Sequence, residues 1–292
     1  GLRSADAREA LNPDNLICRA IRAVKEAAPE LGVLMADHLG PEIASAWRYL
    51  RALDPEHLEA VYVGREAHGE LHRAVSMFGD VPLRAAEDRS PGGIAERLSS
   101  MVGDNGFLTV AVPALHRRRR RSFGTGAIAR IARALRADAR VVLAQMPAIA
   151  GPVEPIPQRV VALVVATQAA NPEANALNYA RSLQPAEVRA IHVALDPEGE
   201  QEDIRDEWAR HGFEPALQIV DAPLRHLGQP LIEEVRRISD PDTLVVVIVP
   251  IVVRRHRGGP LRHRQARYIE GLFLHARRVM VAEVPYELPD GS

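Results

Sequence analysis

The plainest chemistry in this sequence is concentrated in one place. The stretch HRRRRRSFGTG, residues 116–126, sets five consecutive arginines, Arg117 to Arg121, ahead of a glycine step, Gly124, Thr125 and Gly126, at what reads as the start of a helix. Guanidinium groups grip phosphate and carboxylate oxygens two at a time. A glycine-rich helix N-terminus offers backbone N–H groups to the same kind of ligand. The chemistry is therefore anion binding, to phosphate, nucleic acid, an acidic membrane surface or an acidic partner, weighed against a charged loop that is only solvated. A second basic stretch, Arg254, Arg255, His256 and Arg257, precedes Gly258-Gly259, and Arg262, His263 and Arg264 follow it.

Other reactive residues carry less. His68 and His72 stand four apart in HGELH, as metal ligands on a helix do, but no third ligand has a recognisable spacing, and a surface helix is the better reading. Glu233 and Glu234 are neighbours on a helix and point to different sides. No serine lies in a G-x-S-x-G turn. Nothing supplies a positioned base or a metal centre, so the expectation is a protein that is not an enzyme and has no catalytic residues and no metal. The single cysteine, Cys18, excludes an internal disulfide framework, fits a reducing compartment and reads as inert packing. The net charge of -1 makes the basic stretches local features. With aromatics at 4%, stacking platforms for single strands are scarce, and sequence-specific nucleic acid is not expected as a partner.

The elements that hold these stretches emerge from a repeat. RYLRALDPEHLEAVYV (48–63) aligns with NYARSLQPAEVRAIHV (178–193), with six of sixteen residues identical, at an offset of 130. LTVAVPALHRR (108–118) aligns with VVVIVPIVVRR (245–255), VVLAQMP (141–147) with VMVAEVP (279–285), and Asp88 with Asp221. A repeat of this length is a domain, too long for a solenoid unit. The proline-rich PAIAGPVEPIPQ suits a semi-rigid linker. Four units follow: 1–31, an N-terminal amphipathic helix; 32–147, a first lobe; 148–158, the linker; and 159–292, a second lobe. The first unit is compositionally distinct, holding the only lysine, Lys25, as well as Cys18.

In the second lobe apolar strands alternate with helices. VVALVVAT is a continuous apolar strand, NPEANALNYARSL a helix with Asn171 as its expected N-cap, then VRAIHVAL, a helix ending at Gly212, PALQIVD, LGQPLIEEVRRI, TLVVVIVP, LRHRQARYIEGLFLHA and RRVMVAEVP. The longest apolar run, Leu244 to Val253, is about half what a membrane helix needs and contains Pro250. It reads as a buried parallel strand, and no signal peptide is read at the polar N-terminus. Strict alternation predicts an α/β fold of two doubly wound, five-stranded parallel sheets, one per lobe, with ligands beyond the carboxyl ends of the strands.

This five-stranded unit, with its loop after the fourth strand, resembles the universal stress protein fold, of the adenine nucleotide alpha hydrolase-like kind. ALNYARSLQPAEVRAIHVALDP, VPIVVRRHR and VMVAEVPYEL are more closely similar to the cytosolic C-terminal domain of APC-superfamily permeases, which carry amino acids or potassium. Separately, ALNPDNLICRAIRAVKEAAPELGVL (10–34) resembles one helix-strand unit of porphobilinogen synthase. That family needs lysines further on, and this chain has none, so no catalytic residue carries over.

The universal stress resemblance implies a site. Asp37, His38 and Val63 would meet the base and ribose of an adenine nucleotide. Arg117, Arg118, Arg121, Gly124, Thr125 and Gly126 would meet its phosphates, although arginines replace the glycines that open the family's loop. In the second copy Thr167 takes the place of Asp37, and Arg254, Arg255 and Arg262 take the basic positions. The implied ligand is ATP, AMP or a cyclic dinucleotide. The implied partners are a membrane transporter domain or an anionic lipid surface, with the lobes self-associating. The implied location is cytoplasmic, at the inner face of the cell membrane. The competing expectation is a structural, dimerising module with degenerate, empty sites.

Overall fold

A computed structural model describes residues 31–36, 41–55, 57–63, 83–85, 90–103, 106–113, 123–136, 138–147, 154–194, 200–222, 227–253 and 263–288. The first half contributes β1 (Leu31–Ala36), α1 (Pro41–Ala52), β2 (His57–Tyr62), β3 (Leu83–Ala85), α2 (Pro91–Ser100), β4 (Leu108–Pro113), α3 (Phe123–Leu135) and β5 (Val141–Met146). The second contributes β6 (Arg159–Ala166), α4 (Asn171–Ser182), β7 (Glu187–Ala194), α5 (Glu200–Arg210), β8 (Leu217–Asp221), α6 (Gly228–Ile238), β9 (Thr243–Val253), α7 (His263–Phe273) and β10 (Val279–Glu287). Residues 1–30 of the N-terminal unit, with Cys18 and Lys25, the HGELH histidines and Asp88 lie outside the described residues, and residue 31 opens β1.

The ten strands form one sheet, in the order β3-β2-β1-β4-β5-β10-β9-β6-β7-β8. This corrects the expectation of two separate sheets. Each half has the predicted five parallel strands, but the edge strands β5 and β10 pair antiparallel and close the two into one. Two edges rich in valine and alanine would otherwise leave their backbone N–H and C=O groups unpaired, and joining them removes that cost. The pairing is self-complementary. Ala144 lies opposite Ala282, and these two residues are each other's counterparts in the repeat. A pseudo-twofold axis therefore passes through that pair.

Period-two burial puts apolar side chains on both faces of the sheet. In β9, Leu244, Val246 and Ile248 enter one core while Val245, Val247, Val249, Ile251 and Val253 enter another. The first core runs without interruption under α1, α4 and α5 and draws on both halves. On the opposite face there are two cores: one under α6 and α7, one under α2 and α3. The gap between them falls at the seam, where Gln145 and Glu283 stand on that face.

The repeat extends into the backbone. Helices α1 and α4 are each followed by a leucine, Leu53 and Leu183, and then by a residue at positive φ, Asp54 at 49° and Gln184 at 46°. Each of those residues donates its N–H three residues back, to Arg51 O and to Arg181 O. One local expectation is corrected. The N-cap of α4 is Ala170, with no side-chain cap, and Asn171 is already in the first turn, where its amide donates to the Tyr286 hydroxyl at 3.2 Å. Glu173, in the same turn, instead accepts from Thr167 and Gln168 and braces the segment that leads into the helix.

Candidate functional site

Antiparallel closure fixes where ligand-binding edges fall. Within each half all strands are parallel, so their carboxyl ends share an edge. Because β5 and β10 run oppositely, the two edges lie at opposite ends of the sheet. The basic stretch after β4 and the one after β9 thus leave from opposite ends, and the chain has two candidate edges.

At the first edge β1 ends at Ala36, in register with Tyr62, the last residue of β2, while β1 and β4 pair as Leu34 with Ala111. Val63, directly after β2, is half-buried against the apolar cluster under α2 and α3. Asp37, His38, Arg117, Arg118 and Arg121 lie outside the described residues. Gly124 and Thr125 are in the first turn of α3, so the glycine step does open a helix. Gly126 is exposed, and its carbonyl accepts from Arg130 Nε at 3.2 Å. A Cβ there would meet nothing within 4 Å, so the protein itself does not require glycine at this position.

The same edge carries a polar cluster that the repeat did not reveal. Val281 pairs with Gln145, which brings the start of β10 beside the end of β5. There the Tyr49 hydroxyl donates to Glu154 Oε2 at 2.8 Å and accepts the Arg278 N–H at 3.1 Å. Arg277 donates to Glu154 Oε1 at 2.8 Å, Arg278 Nη1 lies 3.3 Å from the same oxygen, and Arg48 donates to the Glu154 carbonyl. Burial works to raise the Glu154 carboxyl, but the hydrogen bonds from Arg277 and Tyr49 and the two guanidinium charges outweigh it and hold the group below the usual carboxylate range. Burial, with Glu154 as acceptor, pushes the Tyr49 phenol up, so it stays a donor. This cluster fastens the segment between the halves to both of them.

At the second edge Thr167 follows β6. Its N–H and hydroxyl both donate to Glu173 Oε1, at 3.2 and 3.0 Å, and Gln168 N–H joins them at 3.2 Å. His192 Nδ1 lies 3.0 Å from Ala166 O. The peptide between Ala166 and Thr167 is thereby held from both sides, its carbonyl by His192 and its N–H by Glu173. This contact makes Nδ1 the protonated nitrogen of His192. Glu173 is fully buried, and burial raises its carboxyl above the usual range despite the three donors. Arg254, Arg255 and Arg262 lie outside the described residues; β9 ends just before the first two and α7 begins just after the third. Among the described residues no three His, Cys, Asp or Glu side chains form a metal-binding group.

Neither Glu154 nor Glu173 was visible as a site residue. Glu154 sits in a proline-rich stretch and meets partners more than a hundred residues away. Glu173, three residues past the cap, carries the usual signal of a capping glutamate. Glu234 does separate from Glu233: it is buried and paired with Arg189 Nη1 at 3.0 Å, while Glu233 is exposed.

Comparison with known proteins places the second half. Residues 157–286 match the family described as the KimA potassium transporter C-terminal domain. The second half, from β6 to the end of β10, is thus similar to the C-terminal domain of a potassium transporter, which supports the transporter side of the permease resemblance. A separate match, 50% identical over 40 residues and covering 14% of this chain, is to the delta-aminolevulinic acid dehydratase of Bradyrhizobium diazoefficiens. The match spans only 11% of that enzyme. Among the described residues no helix is long and apolar enough to cross a membrane.

Proposed function

We propose that this chain is a regulatory, non-catalytic module of a potassium transporter, placed on the cytoplasmic side, that binds an adenine nucleotide at the strand ends. The similarity of residues 157–286 to the KimA C-terminal domain carries the transporter reading. The nucleotide reading rests on the universal-stress-like strand order of each half, with its strand ends adjacent, and on arginine-rich segments that follow the fourth strand of both. In this reading Asp37, His38 and Val63 hold the base end, and Arg117, Arg118 and Arg121 with the Gly124–Gly126 turn hold phosphates. Thr167, Arg254, Arg255 and Arg262 do the same at the opposite edge.

Thermal unfolding with ATP, AMP and a cyclic dinucleotide tests it. A ligand at a hundred times its Kd adds about 2.7 kcal/mol to stability. Replacing Arg117, Arg118 and Arg121 by Ala should remove the part of the gain that comes from the first edge, replacing Arg254 and Arg255 the part from the second, and only the combined replacement should abolish it. No shift at millimolar concentration of any of the three sinks the nucleotide reading.

One observation favours a structural second site. Thr167 stands where the first half has Asp37, and its hydroxyl is already committed to Glu173. In this version the second edge is a braced turn without a ligand, and only the first edge responds to the arginine replacements.

A further inference from the structure

The seam between the halves is narrow and carries buried charge. The pairing of β5 with β10 has three register pairs, Gln145 with Val281, Ala144 with Ala282 and Leu143 with Glu283, whereas β10 and β9 share nine. On the α1/α4 face the seam is covered by apolar side chains continuous with both halves. On the other face the apolar core is split, and the gap holds Gln145, Glu283, Glu270 and Arg136.

Glu283 is almost fully buried. Its Oε2 accepts from Arg136 Nε at 2.8 Å, across the seam from the end of α3. Glu270, on α7, faces the same spot. The Gln145 amide, in the orientation that satisfies both of its ends, donates to Glu270 at 3.2 and 3.0 Å. Thus β5, β10, α3 and α7 each send a polar group into the gap: one neutral amide, two carboxyls and one guanidinium. Arg267, one turn away on α7, is exposed. Of the other elements against α7, β9 is apolar apart from Thr243, and α6 directs its buried carboxylate, Glu234, to Arg189. Among the described residues the gap therefore holds two carboxyls against one half-buried cation, Arg136, with the exposed Arg267 further out.

We propose that Glu270 and Glu283 form a proton-operated latch on the seam, closed while the pair shares one proton and loosened when both are ionised. With one proton shared, a single negative charge faces Arg136 and the gap is neutral. Loss of that proton leaves a second carboxylate next to the almost fully buried Glu283, and like charges at a partly desolvated site repel. The seam, as short in register as the β2–β3 pairing and alone in carrying this buried charge pair, yields first. Burial, then the charge of Glu283, lifts the Glu270 carboxyl to about 8, so the proton leaves near physiological pH. The latch requires no nucleotide, so its failure would leave the reading of the ligand edges untouched.

Hydrogen exchange of the full chain on either side of about pH 8, corrected for the intrinsic base-catalysed rate, tests it. Amides of β5 and β10 should lose protection roughly tenfold per pH unit of linkage across that range. Amides of β6 and β7 should not, and in Glu270→Gln the seam amides should hold their protection. A corrected seam protection that stays flat in the natural chain, or falls equally in Glu270→Gln, overturns the proposal. If Glu270→Gln does not fold, infrared spectroscopy of the natural chain decides. A protonated-carboxyl band present at neutral pH and lost through about pH 8 supports the latch, and its absence at neutral pH overturns it.

Discussion

Tyr49 and Tyr179 occupy the same place in the two halves, one turn before the end of α1 and of α4, and both are wholly buried in the same core. Their partners differ. Tyr49 bridges a carboxylate, Glu154, and a backbone N–H, Arg278. Tyr179 shares a hydrogen bond with the Thr109 hydroxyl at 3.0 Å and meets the Phe107 ring edge-on at 5.4 Å. Each reaches across the seam into the other half. Ring burial is the same in both halves while the polar tips differ: one tip belongs to a charged cluster, the other to a neutral, aromatic setting. The packing requirement and the hydrogen-bond requirement at one position are therefore separable.

Truncating the rings should have the largest effect. Tyr179→Ala and Tyr49→Ala each remove a buried aromatic side chain from a core common to both halves, and each should cost about 3–5 kcal/mol in urea unfolding. If one costs under about 1 kcal/mol, that ring is not part of a well-packed core. Removing only the hydroxyls should separate the two sites. Tyr49→Phe leaves the Arg278 N–H without this acceptor and takes a donor from Glu154, at about 1–3 kcal/mol. Tyr179→Phe removes one neutral hydrogen bond, at about 1 kcal/mol. Equal costs for the two Phe variants would mean that the charged cluster around Tyr49 adds nothing.

Among the described residues, lowered carboxyls occur in both halves, Glu187 and Asp240 in the second among them, whereas raised carboxyls occur only in the second. Asp138, at the end of the first half, and Glu154, between the halves, are held below the usual range, in each case against burial, by hydrogen bonds from Arg140 and from Arg277. Glu173 and Glu270, both in the second half, are raised, in each case chiefly by burial. A lowered carboxyl contributes stability that is present above its ordinary value and is lost as pH falls through its folded value. A raised carboxyl contributes stability that is present below its ordinary value and is lost as pH rises through its folded value. Alkali should therefore soften the second half before the first. Trp47 in α1 and Trp208 in α5 are the only two tryptophans, so Trp208→Phe and Trp47→Phe give one reporter per half. At neutral pH the two reporters should show one coincident unfolding transition, because one core runs beneath both. Above about pH 8 the Trp208 transition should move to lower denaturant first. A Trp47 transition that moves first would reverse the assignment.

Much of this arrangement can be read in the sequence, and what cannot be read has a common cause. The strands of the second half are legible because fully buried parallel strands must be apolar throughout, and β9 even continues past Pro250, which pairs with Val284 on β10. The glycine step 124–126 is legible as a helix start because it combines small residues with a following apolar period. The seam is not. Gln145 and Glu283 stand at equivalent positions of the repeat, each a polar residue set among apolar neighbours, and nothing local says that the two strands meet. Glu154 and Glu173 are hidden for different reasons: the first has only distant partners, and the second braces a turn beside Asn171, the residue type that favours the cap. Long-range pairing leaves no periodicity, so the fold of each half was readable while the joint between them was not.

The smallest expected effects test the ligand edge against simple helix chemistry. Gly126 lies in an exposed part of α3 with room for a Cβ, so Gly126→Ala should stabilise the chain by about 0.5–1 kcal/mol through helix propensity alone. Gly212 in the second half also has open space around it, but its φ of 63° is left-handed, so Gly212→Ala should destabilise by a similar amount. The two glycines thus differ in sign for a backbone reason. If a ligand approaches the backbone closely at this turn, a Cβ there would obstruct it. Nucleotide-induced stabilisation should then fall in Gly126→Ala even as the ligand-free chain becomes more stable. Unchanged ligand response in this more stable variant would show that phosphates, if bound at the first edge, are held by the arginine side chains and not by the turn.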